Sequence, residues 1–442
     1  MPGSLVGDGA NAPRTVGPWR SPEPDAREGR KADVAEVTGF GLAIGLVALA
    51  LTGAVLSNRL AERIRIPAPA IFLVVAAALR HVVPAVGGLS VLTVQRVVTV
   101  ALIIILFDGG MSLGRRRFRA SAVPIAVLGV VGTGLTTVAI ALVAGTLLGF
   151  SWSAAVLLGA ALAPTDPAVV FAVLGRREIE GRSGAILEGE SGANDPVGIA
   201  IMVTLLAGGG VAGGLGAFAV EMVVGAAVGL LGGWALLVFI RRVALPTEGL
   251  YPVRLLAGAG LLYGVATVAH GSGFLAVFVA GILFGDAPSP FERESRRFLS
   301  ASANLGEIVA FALLGLTVSV GALSVGHAWQ LGLLLAVVLT LVIRPVVVGL
   351  LLWPVRLRPG ERVFVAWAGL KGAVPILLGT FLLTAGVPDA GRLYPVILVV
   401  VAFSVIVQGG LVPVVARWCG VPMRDIEPGY PPDETPASPE EK

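Results

Sequence analysis

About thirteen apolar stretches, most of them roughly 20 residues long, follow one another between residues 37 and 418. No other feature limits the fold so strongly. Their approximate limits are 37–57, 66–83, 97–113, 121–148, 152–174, 184–208, 218–239, 253–269, 272–285, 299–321, 328–352, 361–385 and 394–418. The chain is 56% hydrophobic and 14% charged, against about 45–50% and about 25% in soluble domains. The excess is spread along almost the whole length, so it predicts many membrane spans rather than one large core. Spans in hydrocarbon must satisfy their own backbone hydrogen bonds, which selects helices. The 60 glycines suit helices that approach closely in lipid. The expected fold class is an all-α polytopic membrane protein. A lone cysteine, Cys419, excludes an internal disulfide and a cysteine-rich metal site.

The loop arginines alternate. Odd-numbered loops are rich in them, as in Arg115, Arg116, Arg117 and Arg119, or Arg293, Arg296 and Arg297. Even-numbered loops hold only Arg80, Arg96 and Arg392. The positive-inside rule puts the odd loops in the cytoplasm. The N-terminus is then outside the cell membrane and the C-terminus cytoplasmic, as an odd number of spans requires. This also accounts for the net charge of +4 without a nucleic-acid partner. Residues 1–36 lack the apolar core of a signal peptide and are expected to be a disordered tail. Residues 419–442, rich in proline and acid, are expected to be a second one, in the cytoplasm.

Ionisable residues inside spans are expensive and mark function by default. They are Asp108 in the third span, Asp166 in the fifth, Glu188, Glu190 and Asp195 in the sixth, Glu307 in the tenth, Arg344 in the eleventh and Lys371 in the twelfth. Glu221, near the start of the seventh, is read as interfacial. Structural ion pairs are the bland explanation for any one of these, and a weak one for the whole set. In the sixth span Ser191 and Asp195 are four apart and share a helix face, with Glu190 and Asn194 on the neighbouring one. A hydroxyl beside a carboxylate suits a hard monovalent cation. Ser191 by itself would be an ordinary packing serine.

Two spans are interrupted at mid-depth. The fifth contains Pro164-Thr165-Asp166-Pro167, and the twelfth Gly369-Leu370-Lys371-Gly372. Unwound backbone at that depth must line a cavity or protein. With 218–239 as a linker helix, the rest divides into two inverted sets of six spans, about 37–208 and 253–418, each broken in its fifth member. Paired interruptions of this kind point to a midplane site in a transporter. Asp166 can offset two positive helix N-termini there, and Lys371 two negative C-termini.

These motifs, with Leu106-Phe107-Asp108-Gly109-Gly110, Glu190-Ser191-Gly192-Ala193-Asn194-Asp195-Pro196 and Arg344-Pro345, resemble the NhaP-type monovalent cation/proton antiporters over about residues 37–418. The resemblance implies a homodimer of thirteen-span protomers, each with a core domain moving against a dimerisation domain. It implies that Asp195 binds cation and proton in turn, with Ser191, Asp166 and the Thr165 carbonyl as further ligands. Asn194 stands where electrogenic relatives carry a second aspartate, which implies electroneutral one-for-one exchange. Glu190 and Arg344 resemble a structural ion pair, although Glu307 also competes for Arg344. Lys371 replaces the arginine of many relatives, and Asp108 and Glu307 are cavity candidates. The motifs look closest to the bacterial K⁺/H⁺ branch.

The substrates expected are therefore H⁺ and either K⁺ or Na⁺, with no cofactor and no resident metal. Two alternatives stay open at this level, a cation channel and an intramembrane hydrolase. The second is the weaker, because His81, His270 and His327 all fall at outer loops or span ends, which disfavours a Ser–His dyad within the membrane.

Overall fold

The computed structural model describes residues 67–425, apart from 83–87, 175–176, 209 and 289–290, together with the single positions Gly45 and Thr52. The chain divides into two units, Met1–Gly53 and Ala54–Lys442, and every element below belongs to the second. The expected N-terminal tail lies outside the described residues, as does the first span but for Gly45 and Thr52.

The first helices are α1 (Ala68–Val82), α2 (Val91–Ala126) and α3 (Thr133–Thr146). The third and fourth expected spans meet within α2. Its ladder is interrupted by a left-handed Gly114 (φ 63°) and a non-helical Ser121, which form an elbow at 114–121. A π-helical turn, Val127–Gly132, carries the fourth span on into α3. The fifth span is split into α4 (Trp152–Leu162) and α5 (Ala168–Leu174). The sixth, seventh, eighth and ninth are α6 (Arg182–Ala207), α7 (Gly210–Arg242), α8 (Leu250–Val268) and α9 (Gly273–Gly285). The narrow gap between α8 and α9 is a real break. His270 takes a left-handed conformation (φ 58°), and Ser272 caps α9 through the Leu275 amide at 3.3 Å.

The tenth span is α10 (Glu292–Thr317). The eleventh comprises α11 (Ala328–Val338) and α12 (Arg344–Leu351), joined by the π-helical turn Leu339–Ile343. The twelfth is split into α13 (Pro359–Trp367) and α14 (Ala373–Thr384). The last comprises α15 (Ala390–Phe403) and α16 (Gly409–Trp418), joined by the π-helical turn Ser404–Gln408.

The purely helical expectation is modified in one place. Strand β1 (Arg177–Ile179) pairs antiparallel with β2 (Met423–Asp425). The tail expected to be disordered from residue 419 therefore starts with ordered chain. Residues 426–442 lie outside the described residues.

Glycine lets α2 and α9 touch backbone to backbone. A methyl group on Gly110 would strike the Phe278 carbonyl, and one on Gly281 the Phe107 carbonyl. One helical turn on, Gly285 lies against Gly114 in the same way. Alanine at any of these would force the helices apart at a cost of about 1–3 kcal/mol. The apolar residues left outside, among them Val268, Trp353 and Trp418, face outward as lipid contact requires. Among the described residues, six helical stretches are long and apolar enough to cross a membrane. The shorter apolar helices α4 and α14 are halves of the two interrupted spans.

Candidate functional site

The two interrupted spans meet at their breaks. The Asp166 amide donates to the Leu370 carbonyl at 2.8 Å, which ties one unwound stretch to the other. Each stretch contributes one charge. The Lys371 ammonium donates to the carbonyls of Ala163 and Pro164, both at 3.0 Å, at the C-terminal end of α4. The Asp166 carboxylate accepts the Ala168 amide at 2.9 Å, at the start of α5, and an amide of Ala373 at the start of α14. Two positive helix ends thus meet a carboxylate, and the negative end of α4 an ammonium; the ammonium's bonds go to α4 and not to the end of α13, the second C-terminus expected for it. Glycine is needed here for room. A methyl group at Gly372 would collide with the Asp166 carboxylate, and one at Gly369 with the Arg344 guanidinium.

Helix α6 passes beside this crossing. The Asn194 amide nitrogen donates to Thr165 Oγ1 at 2.7 Å, and its Oδ1 accepts the Thr165 amide at 3.2 Å. Thr165 Oγ1 lies 3.2 Å from Ser191 Oγ. Asn194 and Thr165 are thereby bonded to each other behind the cavity wall. Sequence reasoning grouped both with the ion ligands; in the structure the Asn194 side chain is spent on Thr165, and neither residue lines the cavity described next. Its side chain points at the unwound backbone because that backbone has amides no helix satisfies.

Asp195 faces the other way. It shares a cavity of about 270 Å³ with Asp166 and Ser191. Asp195 Oδ1 is buried without a hydrogen-bond partner among the described residues. An orphaned carboxylate oxygen deep in a membrane protein is costly unless something binds it. Asp108 and Glu307 line the same cavity. Asp108 accepts a hydrogen bond from Ser300 at 2.9 Å, while Glu307 Oε1 has no partner among the described residues. Glu188 sits at the cavity's edge and pairs with Arg117 at 2.9 Å. Gly192, which sequence reasoning passed over, also lines the cavity. Pro196, four residues on, has no amide hydrogen, so the Gly192 carbonyl lacks its helical bond. The proline itself was the available signal.

Arg344 meets Glu190 rather than Glu307. Both terminal guanidinium nitrogens reach the carboxylate, one of them at 2.8 Å, and the pair is fully buried. A neutral network that sequence reasoning did not find lies alongside. The Lys371 amide donates to Ser404 Oγ at 2.9 Å, and Ser404 Oγ donates to Gln408 Oε1 at 2.9 Å. Gln408 Nε2 reaches the Trp367 carbonyl at 2.6 Å. Thr340 also donates to Gln408 Oε1, at 3.2 Å. The spacing of Ser404 and Gln408, four apart in an apolar span, was the visible clue.

Paired broken helices, charges that neutralise their ends and, among the described residues, an unpartnered carboxylate oxygen in a buried cavity with further acidic side chains define a secondary ion transporter. Known proteins give the same answer. The family described as "Sodium/hydrogen exchanger, transmembrane" matches residues 46–418. The chain is 37% identical over 330 residues to the K(+)/H(+) antiporter NhaP of Alkalimonas amylolytica, covering 72% of this chain and 56% of that protein. It is 33% identical over 401 residues to the K(+)/H(+) antiporter NhaP2 of Shewanella oneidensis, covering 87% of this chain and 68% of the relative. The fold matches the sodium proton antiporter MjNhaP1 of Methanocaldococcus jannaschii with a TM-score of 0.72 at 22% identity, over 86% of this chain and 98% of that one. The chain belongs to the transmembrane sodium/hydrogen exchanger family. It is a multi-pass membrane protein, and the relatives it matches are named as antiporters.

Proposed function

We propose that this protein exchanges protons for K⁺, or for Na⁺, one for one, and that Asp195 is the group the two ions share. The observation that carries the proposal is the buried, unpartnered Asp195 Oδ1, in one cavity with Asp166 and Ser191. A carboxylate crossing low-dielectric protein uncompensated costs several kcal/mol. Reorientation is therefore permitted only when a proton or a cation neutralises it. Asp166 and Ser191 supply further oxygens, with the Gly192 carbonyl near by. Asn194 and Thr165 hold the wall in place, and with no second carboxylate at position 194 the cycle carries no net charge. K⁺ is the preferred cation, because the relatives with the stronger identity are named as K(+)/H(+) antiporters.

The same reading makes the protein a homodimer with its N-terminus outside and its C-terminus in the cytoplasm, built as two inverted six-span repeats. Support for the dimer is the face of α7, where only 22% of the apolar window is buried, against 61% along Ala390–Trp418.

The test is cation-driven collapse of a pH gradient in proteoliposomes. Asp195→Asn keeps the size of the side chain and removes its titration, so exchange should vanish while the thermal midpoint stays near that of the wild type. Near-normal coupled uptake by this variant would overturn the assignment. In the wild type, protons fill the site as pH falls, so the apparent KM for cation should rise with acidity, by up to about tenfold per pH unit. Initial rates should not change with clamped membrane potential. Flux that ignores the pH gradient would instead indicate a channel.

A further inference from the structure

Four loop arginines converge on one groove. Arg115, Arg116 and Arg119 come from the elbow of α2, and Arg241 from the end of α7; together they rim a space of about 890 Å³. Below Arg241 the wall is apolar. Leu237, Trp234 and Leu230 descend α7, with Leu283 of α9 opposite. At 1.5 Å per residue, Trp234 lies roughly 10 Å below Arg241 along the helix and Leu230 roughly 16 Å. Trp234 is 64% exposed, and an indole at that depth is typical of a membrane interface.

The charge in the groove is offset only in part by the protein, four arginines standing against the single carboxylate of Asp286. Among the described residues, none of the four guanidinium groups has an ion-pair or hydrogen-bond partner. Their neighbour Arg117 differs, because it turns inward to Glu188. The one carboxylate in the groove, Asp286, is engaged by the Arg116 backbone amide at 2.6 Å. Orientation of the chain requires only that arginines lie on this side. It does not require them to gather at the head of an apolar trough between two elements.

We propose that this groove binds an anionic phospholipid. The phosphate sits among Arg115, Arg116, Arg119 and Arg241, and an acyl chain runs down past Leu237, Trp234 and Leu230. Basic pockets between membrane helices recognise such headgroups. A zwitterionic lipid lacks the net charge the arginines call for, and a free phosphate lacks the chain that would cover the trough. The bound lipid would link α7 to the elbow at 114–121, whose non-helical Gly114 and Ser121 interrupt α2.

The experiment is native mass spectrometry of the purified full-length protein with phosphatidylglycerol and phosphatidylcholine offered in equal amounts. Its readout does not depend on transport, so it can fail while the proposed exchange stands. The wild type should retain phosphatidylglycerol selectively. Arg115→Gln with Arg119→Gln should weaken retention roughly 30-fold, from two lost headgroup contacts. Arg293→Gln with Arg297→Gln removes the same charge from α10 and should leave retention unchanged. Thermal midpoints in lipid-free detergent check that both variants are folded. Equal losses in the two double variants would reduce the effect to general surface charge and overturn the proposal. Equal retention of phosphatidylcholine, or displacement of the lipid by millimolar inorganic phosphate, would overturn it as well.

Discussion

The breaks at 163–167 and 368–372 do the same structural job with opposite charges, yet they face different surroundings. Asp166 offsets helix starts and also lines the ion cavity. Lys371 offsets the end of α4 and is 2% exposed, surrounded by protein. Its break is packed against the Glu190–Arg344 pair and bonded to Ser404. One break is thus half site and half scaffold, while the other is scaffold alone. A charge needed to hold helix ends need not be a charge that meets the ion.

The largest expected effect is on the scaffold side. Lys371→Met leaves two carbonyls without a donor and takes a buried positive charge away from Glu190 and Asp195, at a cost of about 3–5 kcal/mol. The thermal midpoint in detergent should drop sharply. Lys371→Arg should recover part of it, because the charge returns on a head shaped for paired oxygens rather than one point. Asp166→Asn should behave differently. The amide keeps an acceptor for the Ala168 amide, so stability falls by only about 1–3 kcal/mol, while exchange in proteoliposomes is lost. If both variants lost stability equally, the division between the breaks would fail. The smallest effect should come from Ser404→Ala, which removes one neutral acceptor from the Lys371 amide. A loss of about 1 kcal/mol with transport preserved would sharpen the comparison; loss of exchange without loss of stability would show that the second break also touches the ion.

Much of this was legible in the sequence, because lipid imposes simple rules. Span length, the mid-depth prolines and glycines, and the isolated charges each have one physical reading in hydrocarbon. The juxtaposition of Asp166 and Lys371 with helix ends followed from the breaks alone. What was not legible depends on which neighbour a face meets. Helical periodicity placed Asn194 beside Asp195, but only the fold turns one toward Thr165 and the other into the cavity. Arg344 had two candidate partners, Glu190 and Glu307, and sequence distance could not choose between them. The π-helical turns at 127–132, 339–343 and 404–408 were also invisible, since packing rather than composition decides where a helix takes in an extra residue.

The small ribbon of β1 and β2 gives the molecule a handle. Chain leaving the last helix is fastened at 423–425 to 177–179, and the Glu180 amide adds a bond to the Pro422 carbonyl at 2.9 Å. Two residues later, at Arg182, begins the helix that carries Asp195. Force applied to the chain beyond residue 425 is therefore passed through the ribbon to the root of α6 as well as to the end of α16. Whatever is tethered there, whether a tag, a fused domain or a binding protein, pulls on the mounting of the ion site.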